Sequence, residues 1–149
     1  MDLSAVSKTL FIPLSARIFA SKNSPEYFYD EKALSLENIA QTNCESVQEK
    51  SSEYALMASA ARYYNIDEIV RKFCAKYPKC NVVYLGAELE TACFRLKIAN
   101  TAFYEIDLPE VIELRGLLLG ERPNEALMGC DMFNMACARS IDKACRCCL

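Results

Sequence analysis

Gly86 and Asp107 are the residues whose types and spacing suggest chemistry. Gly86 ends the apolar run Asn81-Val82-Val83-Tyr84-Leu85, and Asp107 ends a second run over residues 101–106, 21 positions later. A glycine at a strand end lets bare backbone approach a ligand. A carboxylate about 20 residues beyond such a turn is placed to accept hydrogen bonds from ribose hydroxyls. Together they predict an adenosine-type ligand lying across two strand tips. Each residue also has a plainer reading. Gly86 could make an ordinary turn, and Asp107 could cap a helix starting at Pro109. A dinucleotide fits less well, because Glu88 and Thr91 stand where its fingerprint needs glycines. Glu88 and Glu90 would also repel a pyrophosphate. A zwitterion with a cationic sulfonium suits this acidic loop better.

The elements that must position these residues are legible from periodicity. Residues 30–40 read as a helix, with Ala33, Leu36 and Ile39-Ala40 on one face. Residues 51–64 read as an alanine-rich helix whose small residues 58–61 allow close approach. Asn65 reads as the N-cap of a separate helix, with Glu68 completing a capping box. Ile66, Ile69, Val70, Phe73, Cys74 and Tyr77 form its apolar stripe, and Pro78 stops it. The period then changes. The run 81–85 is short, continuous and β-branched, as in a strand buried on both faces of a parallel sheet. A short helix (91–97), a second strand (101–106), a helix from Pro109 to Gly120 and a third strand (126–128) follow. A loop and helix are expected over 131–144. This alternation predicts an α/β fold. N-terminal helices (residues 1–64) precede the first part of a Rossmann-like parallel sheet of about three strands (residues 65–149). The third strand would be an open edge offering self-association.

Composition narrows the function classes. The chain has 149 residues, 52% of them hydrophobic, enough for one real core. Net charge is −3, so there is no basic excess for nucleic acid. The start Met1-Asp2-Leu3 lacks a signal-peptide pattern and no apolar run is long enough for a bilayer, so a cytoplasmic protein with no membrane partner is expected. There are nine cysteines and no histidine. The usual zinc spacings are not completed, no metal is expected, and reduced thiols are the simplest reading. Arg146 occupies the place that a prenylation box reserves for cysteine.

Three stretches resemble the leucine carboxyl methyltransferase family, which includes O-methyltransferases of polyketide biosynthesis. Ala61-Arg62 followed by Ile66-Asp67-Glu68-Ile69-Val70 is similar to its arginine-containing segment. Residues Val82 to Thr91, with Phe94-Arg95-Leu96, resemble its glycine loop after the first strand. Phe103-Tyr104-Glu105-Ile106-Asp107-Leu108-Pro109, continued through Arg115, is similar to its second-strand motif. The resemblance implies S-adenosylmethionine as cofactor, held by Arg62, Gly86, Ala87, Glu88, Glu90, Asp107 and Leu108. Arg62 would pair with the cofactor's carboxylate. Gly86 would let the methionine portion pass, Asp107 would hold the ribose, and Leu108 would pack by the adenine. The reaction implied is methyl transfer to a carboxyl or hydroxyl oxygen of a small-molecule or carboxyl-bearing acceptor.

The departures from the family pattern are specific. Its second glycine is Glu88 here, its aspartate is Glu90, its next arginine is Ala92, and a tryptophan position is Cys137. Glu88 places a side chain and a negative charge where bare backbone is expected. The family is also longer, with later strands that have no counterpart in these 149 residues. Two expectations follow. One is an S-adenosylmethionine-dependent O-methyltransferase, or its cofactor-binding half. The other is a catalytically inactive, truncated methyltransferase-like protein acting through protein contacts. No catalytic base is identifiable.

Overall fold

Helix α1 (Phe11–Asn23) follows a 3-10 turn at Lys8–Leu10 and buries Phe11, Leu14 and Ile18 at helical spacing. The structure, a computed structural model, describes residues 8–131, 141 and 146–148, with backbone only for residues 8, 42, 43 and 146–148. Two compact units, Met1–Asp67 and Glu68–Leu149, divide the chain. Among the described residues, no helix is long and apolar enough to cross a membrane.

In the first unit, helices α2 (Glu31–Ser35) and α3 (Glu37–Lys50) pack against α1. The single helix expected over residues 30–40 is therefore broken. It turns at Leu36, whose side chain is buried while the backbone starts a new helix. Asp30 caps α2 by accepting from Ala33 N–H at 2.9 Å. Its other oxygen pairs with fully buried Arg17 at 3.3 Å. Removing one partner of such a pair costs about 3–5 kcal/mol, because the other charge is left buried. Ala60 packs against Ala20 and Phe28, so the small-residue stretch does admit close approach.

Helix α4 (Glu53–Lys76) corrects the expectation of two helices meeting at Asn65. Asn65 does not cap. Its side-chain amide donates back to the Ala61 carbonyl at 2.9 Å, one turn earlier. No glycine or proline interrupts residues 53–76, and a good capping residue does not end a helix that nothing else breaks. The stripe is also narrower than expected. Val70 and Cys74 are buried, and Phe73 and Tyr77 pack beside them, while Ile66 and Ile69 are exposed.

The second unit is α/β. Strand β1 (Cys80–Leu85), helix α5 (Ala92–Leu96), strand β2 (Thr101–Asp107), helix α6 (Pro109–Leu119) and strand β3 (Glu125–Gly129) follow the predicted alternation. Strand β4 (Arg146–Cys148) adds a fourth strand beside β1. All pairings are parallel, and the order is β3-β2-β1-β4. Among the described residues β3 lies at one edge of the sheet. The rest of the loop and helix expected over residues 131–144, Cys137 included, lies outside the described residues.

Alternate strand residues face opposite sides of the sheet. Val82 and Phe103 join Val70, Cys74, Ala92 and Leu96 in one core cluster, while Val83 and Ile106 pack with Met128 and Ile141 in another. Both faces of β1 and β2 are therefore covered, which explains their unbroken apolar sequence. Helix α6 begins with Pro109 at its first turn and stops at Gly120, whose φ of 72° lies in the left-handed region. Cys44, Cys74, Cys80 and Cys93 are free thiols. Cys130 is disulfide-bonded. The expectation that every thiol is reduced therefore fails at Cys130.

Candidate functional site at the strand tips

Parallel pairing in register places Leu85 opposite Ile106, so the chain leaves β1 and β2 at the same rim. Gly86 turns there with φ 67°, a region that favours glycine. The N–H groups of Gly86 and Ala87 both donate to the Ile106 carbonyl, at 2.9 and 3.1 Å. Glu88 N–H then donates to Oδ2 of Asp107 at 2.8 Å, and Leu108 N–H donates to Oδ1 at 2.7 Å. The glycine turn and Asp107 are thus side by side. The third tip joins them, because Gly129 pairs with Asp107 and Cys130 N–H donates to the Asp107 carbonyl at 2.8 Å.

This geometry removes the plainer reading of Asp107. Helix α6 has Leu108 at its N-cap position and no side-chain cap. Asp107 instead ties two loops together. Each carboxylate oxygen accepts one backbone N–H, and a carboxylate offers about four lone-pair sites, so acceptor capacity remains for a diol. Leu85 and Leu108 are exposed on either side, giving an apolar surface beside the carboxylate.

The other expected residues fall into different places. Ala87 is buried beneath the turn. Glu88 is half-buried and holds a φ of 45°, the left-handed conformation that a glycine would adopt without strain. Glu90 is turned into the scaffold. Its Oε1 accepts from Thr91 N–H at 2.7 Å and pairs with Arg95 at 3.2 Å. Arg62 belongs to the first unit, where it is exposed on α4 with its Nη2 3.4 Å from Ser59 Oγ.

Sequence reasoning missed Arg115. It is fully buried, and its guanidinium lies 2.7 Å from Glu125 and 3.2 Å from Glu105. It also donates to the carbonyls of Glu90 and, at 3.4 Å, Glu88. The signal was present in the spacing. Val111, Arg115 and Leu119 recur at four-residue intervals, which puts an arginine on the apolar stripe of α6. Burial disfavours the charge, but the carboxylates of Glu105 and Glu125 outweigh it, so the guanidinium is held more basic than usual. Cys93 completes the cluster. Burial, then the neighbouring Glu125 and Glu105, push its thiol well up. Cys93, Glu105 and Glu125 offer metal-type donor atoms within 4.8 Å of one another, but the Arg115 guanidinium already pairs with both carboxylates.

Comparison with known proteins bears on the same segments. A family model described as leucine carboxyl methyltransferase matches residues 4–136, which is most of the chain. The chain belongs to the leucine carboxyl methyltransferase family. The tetracenomycin polyketide synthesis O-methyltransferase TcmP of Streptomyces glaucescens is 27% identical over 128 residues, covering 85% of this chain and 47% of that protein. Leucine carboxyl methyltransferase 1 of Candida albicans is 32% identical over 79 residues, covering 51% of this chain and 22% of that protein. The chain thus spans about half the length of the first relative, and the match to the second covers less. As a member of the leucine carboxyl methyltransferase family, it carries the α/β sheet with its glycine turn and its strand-end aspartate side by side, and a glutamate at Glu88.

Proposed function

We propose that this chain is the cofactor-binding part of an S-adenosylmethionine-dependent O-methyltransferase acting on a carboxyl or hydroxyl oxygen. The observation that carries the reading is the junction of the Gly86 turn with Asp107, bridged by the Glu88 N–H, in a chain of this family. In this reading the ribose hydroxyls meet the free lone pairs of Asp107. The adenine lies against Leu108, and the methionine portion passes the bare backbone of Gly86. Ala87 supports the turn from below. Glu90 acts on the loop rather than on the ligand, because its carboxylate is already engaged by Thr91 and Arg95.

Bound there, the cofactor supplies an electrophilic methyl group for an acceptor oxygen. The protein's part is to position and to exclude water, and no metal is needed for it. Glu88 is the one local obstacle, because its carboxylate adds negative charge beside a ligand carboxylate.

Calorimetric titration with S-adenosylmethionine tests the reading. A saturable heat, with thermal stabilisation in step with ligand concentration, is the expected result. No heat and no stabilisation at millimolar ligand would refute it. Mass spectrometry of the purified protein gives an independent check, through a co-purified adenosyl compound.

A further inference from the structure

The loop over Glu88–Thr91 is gripped from two sides. At the rim, Asp107 accepts the Glu88 N–H. Beneath it, the guanidinium of Arg115 donates to the carbonyls of Glu88 and Glu90. One residue therefore has its N–H held by β2 and its C=O held by α6. That residue is also the one in the left-handed region, at φ 45°. A strained backbone of this kind persists only where its surroundings over-determine it.

Arg115 is itself over-determined. Glu105 comes from β2 and Glu125 from β3, and both carboxylates face the same guanidinium with no exposure to water. Glu125 is fixed in turn by Arg122 N–H, which donates to its second oxygen at 3.1 Å. The planar fork of arginine can serve carboxylates and carbonyls at once, whereas a lysine ammonium cannot match that geometry. The sheet thus sets the orientation of Arg115, and Arg115 sets the carbonyls of the loop.

We infer that Arg115 is a positioning residue. It holds the Glu88–Glu90 backbone in the one arrangement that directs the Glu88 N–H at Asp107, and so preforms the cofactor turn without touching a ligand. Only the consequence for affinity rests on the proposed function; the effect on the loop stands apart from it.

The test uses the full chain without ligand. In Arg115→Met/Glu105→Gln/Glu125→Gln the charges are removed together, so no unpaired charge is left buried. Amide hydrogen exchange at Glu88 should be faster by about tenfold or more, while the β1 amides of Val83 and Tyr84 keep their wild-type rates. Unchanged exchange at Glu88, or equal acceleration at all three amides, would overturn the inference. Should the triple variant not fold, Arg115→Lys gives the same comparison with a smaller ratio, because the charge stays and the fork is lost. S-adenosylmethionine affinity should fall in parallel with the faster exchange at Glu88. A wild-type chain that binds no S-adenosylmethionine would refute the proposed function and leave the exchange result to decide this one.

Discussion

The backbone N–H of Glu88 donates to Oδ2 of Asp107 at 2.8 Å, across the tips of β1 and β2. This bond joins the glycine turn to the strand-end acid, and it forms through a residue whose side chain departs from the family pattern. Because the contact is made by the backbone, it survives the change of side chain. What the side chain alters is the conformational cost and the charge at the rim.

Glu88→Gly should therefore tighten S-adenosylmethionine binding, by roughly tenfold, through removal of one like charge near the ligand's carboxylate. Stability should stay within about 1 kcal/mol of wild type, because relief of the left-handed backbone and the extra freedom of glycine in the unfolded chain oppose each other. Titration calorimetry reads the first effect and urea denaturation the second. An affinity that is unchanged or lower would show that Glu88 does not face the ligand.

Asp107→Ala should weaken the apo protein as well as the complex. It leaves the part-buried N–H groups of Glu88 and Leu108 without their acceptor, at a cost of about 1 kcal/mol or more. Asp107→Asn keeps one acceptor oxygen and should lose less stability, yet bind the ribose poorly. Denaturation midpoints for the two variants give the comparison. Equal midpoints for Asp107→Ala and wild type would mean that those amides find other acceptors.

Gly129→Ala should destabilise the second unit by about 1–3 kcal/mol through overpacking. A Cβ there would lie 2.9 Å from Cα of Pro109, a backbone atom at the first turn of α6 that cannot swing aside. Thermal unfolding reads the loss. A melting temperature equal to wild type would show that the β3 tip shifts freely against α6.

Cys93 gives the chain an alkaline limit. Burial and the Glu125 and Glu105 carboxylates raise its thiol above the ordinary 9.0. The folded state then keeps a proton that the unfolded state loses. The sign is fixed by linkage: the contribution is complete below pH 9.0 and declines as pH rises further. The slope for one such group starts at about half of, and rises toward, about 1.4 kcal/mol per pH unit. Cys93→Ala should lose this component, so its stability should fall less steeply than wild type as pH rises from about 9 to about 10. Parallel profiles would mean that the Cys93 thiol ionises as readily in the folded protein as in the unfolded one.

The sequence by itself determined the α/β order, the strands around residues 81–85 and 101–106, the helix from Pro109 to Gly120, and the proximity of Gly86 to Asp107. Those features follow from local chemistry: an apolar run of the right length, a proline at a helix start, a glycine after a strand. Parallel strands joined by a helix must also leave the sheet at one rim, so the two tips could be inferred together. Only the tertiary structure decided the rest. Asn65 has a capping side chain but no chain break to cap, and α4 runs through it. Glu90 carries a charge that a loop would normally expose, yet Arg95 and Thr91 draw it inward. Arg115 lies inside the second unit because Glu105 and Glu125, from two other elements, arrive on either side of it. Arg115, Glu105 and Glu125 come from three different elements, and no local preference of any one residue contains their meeting.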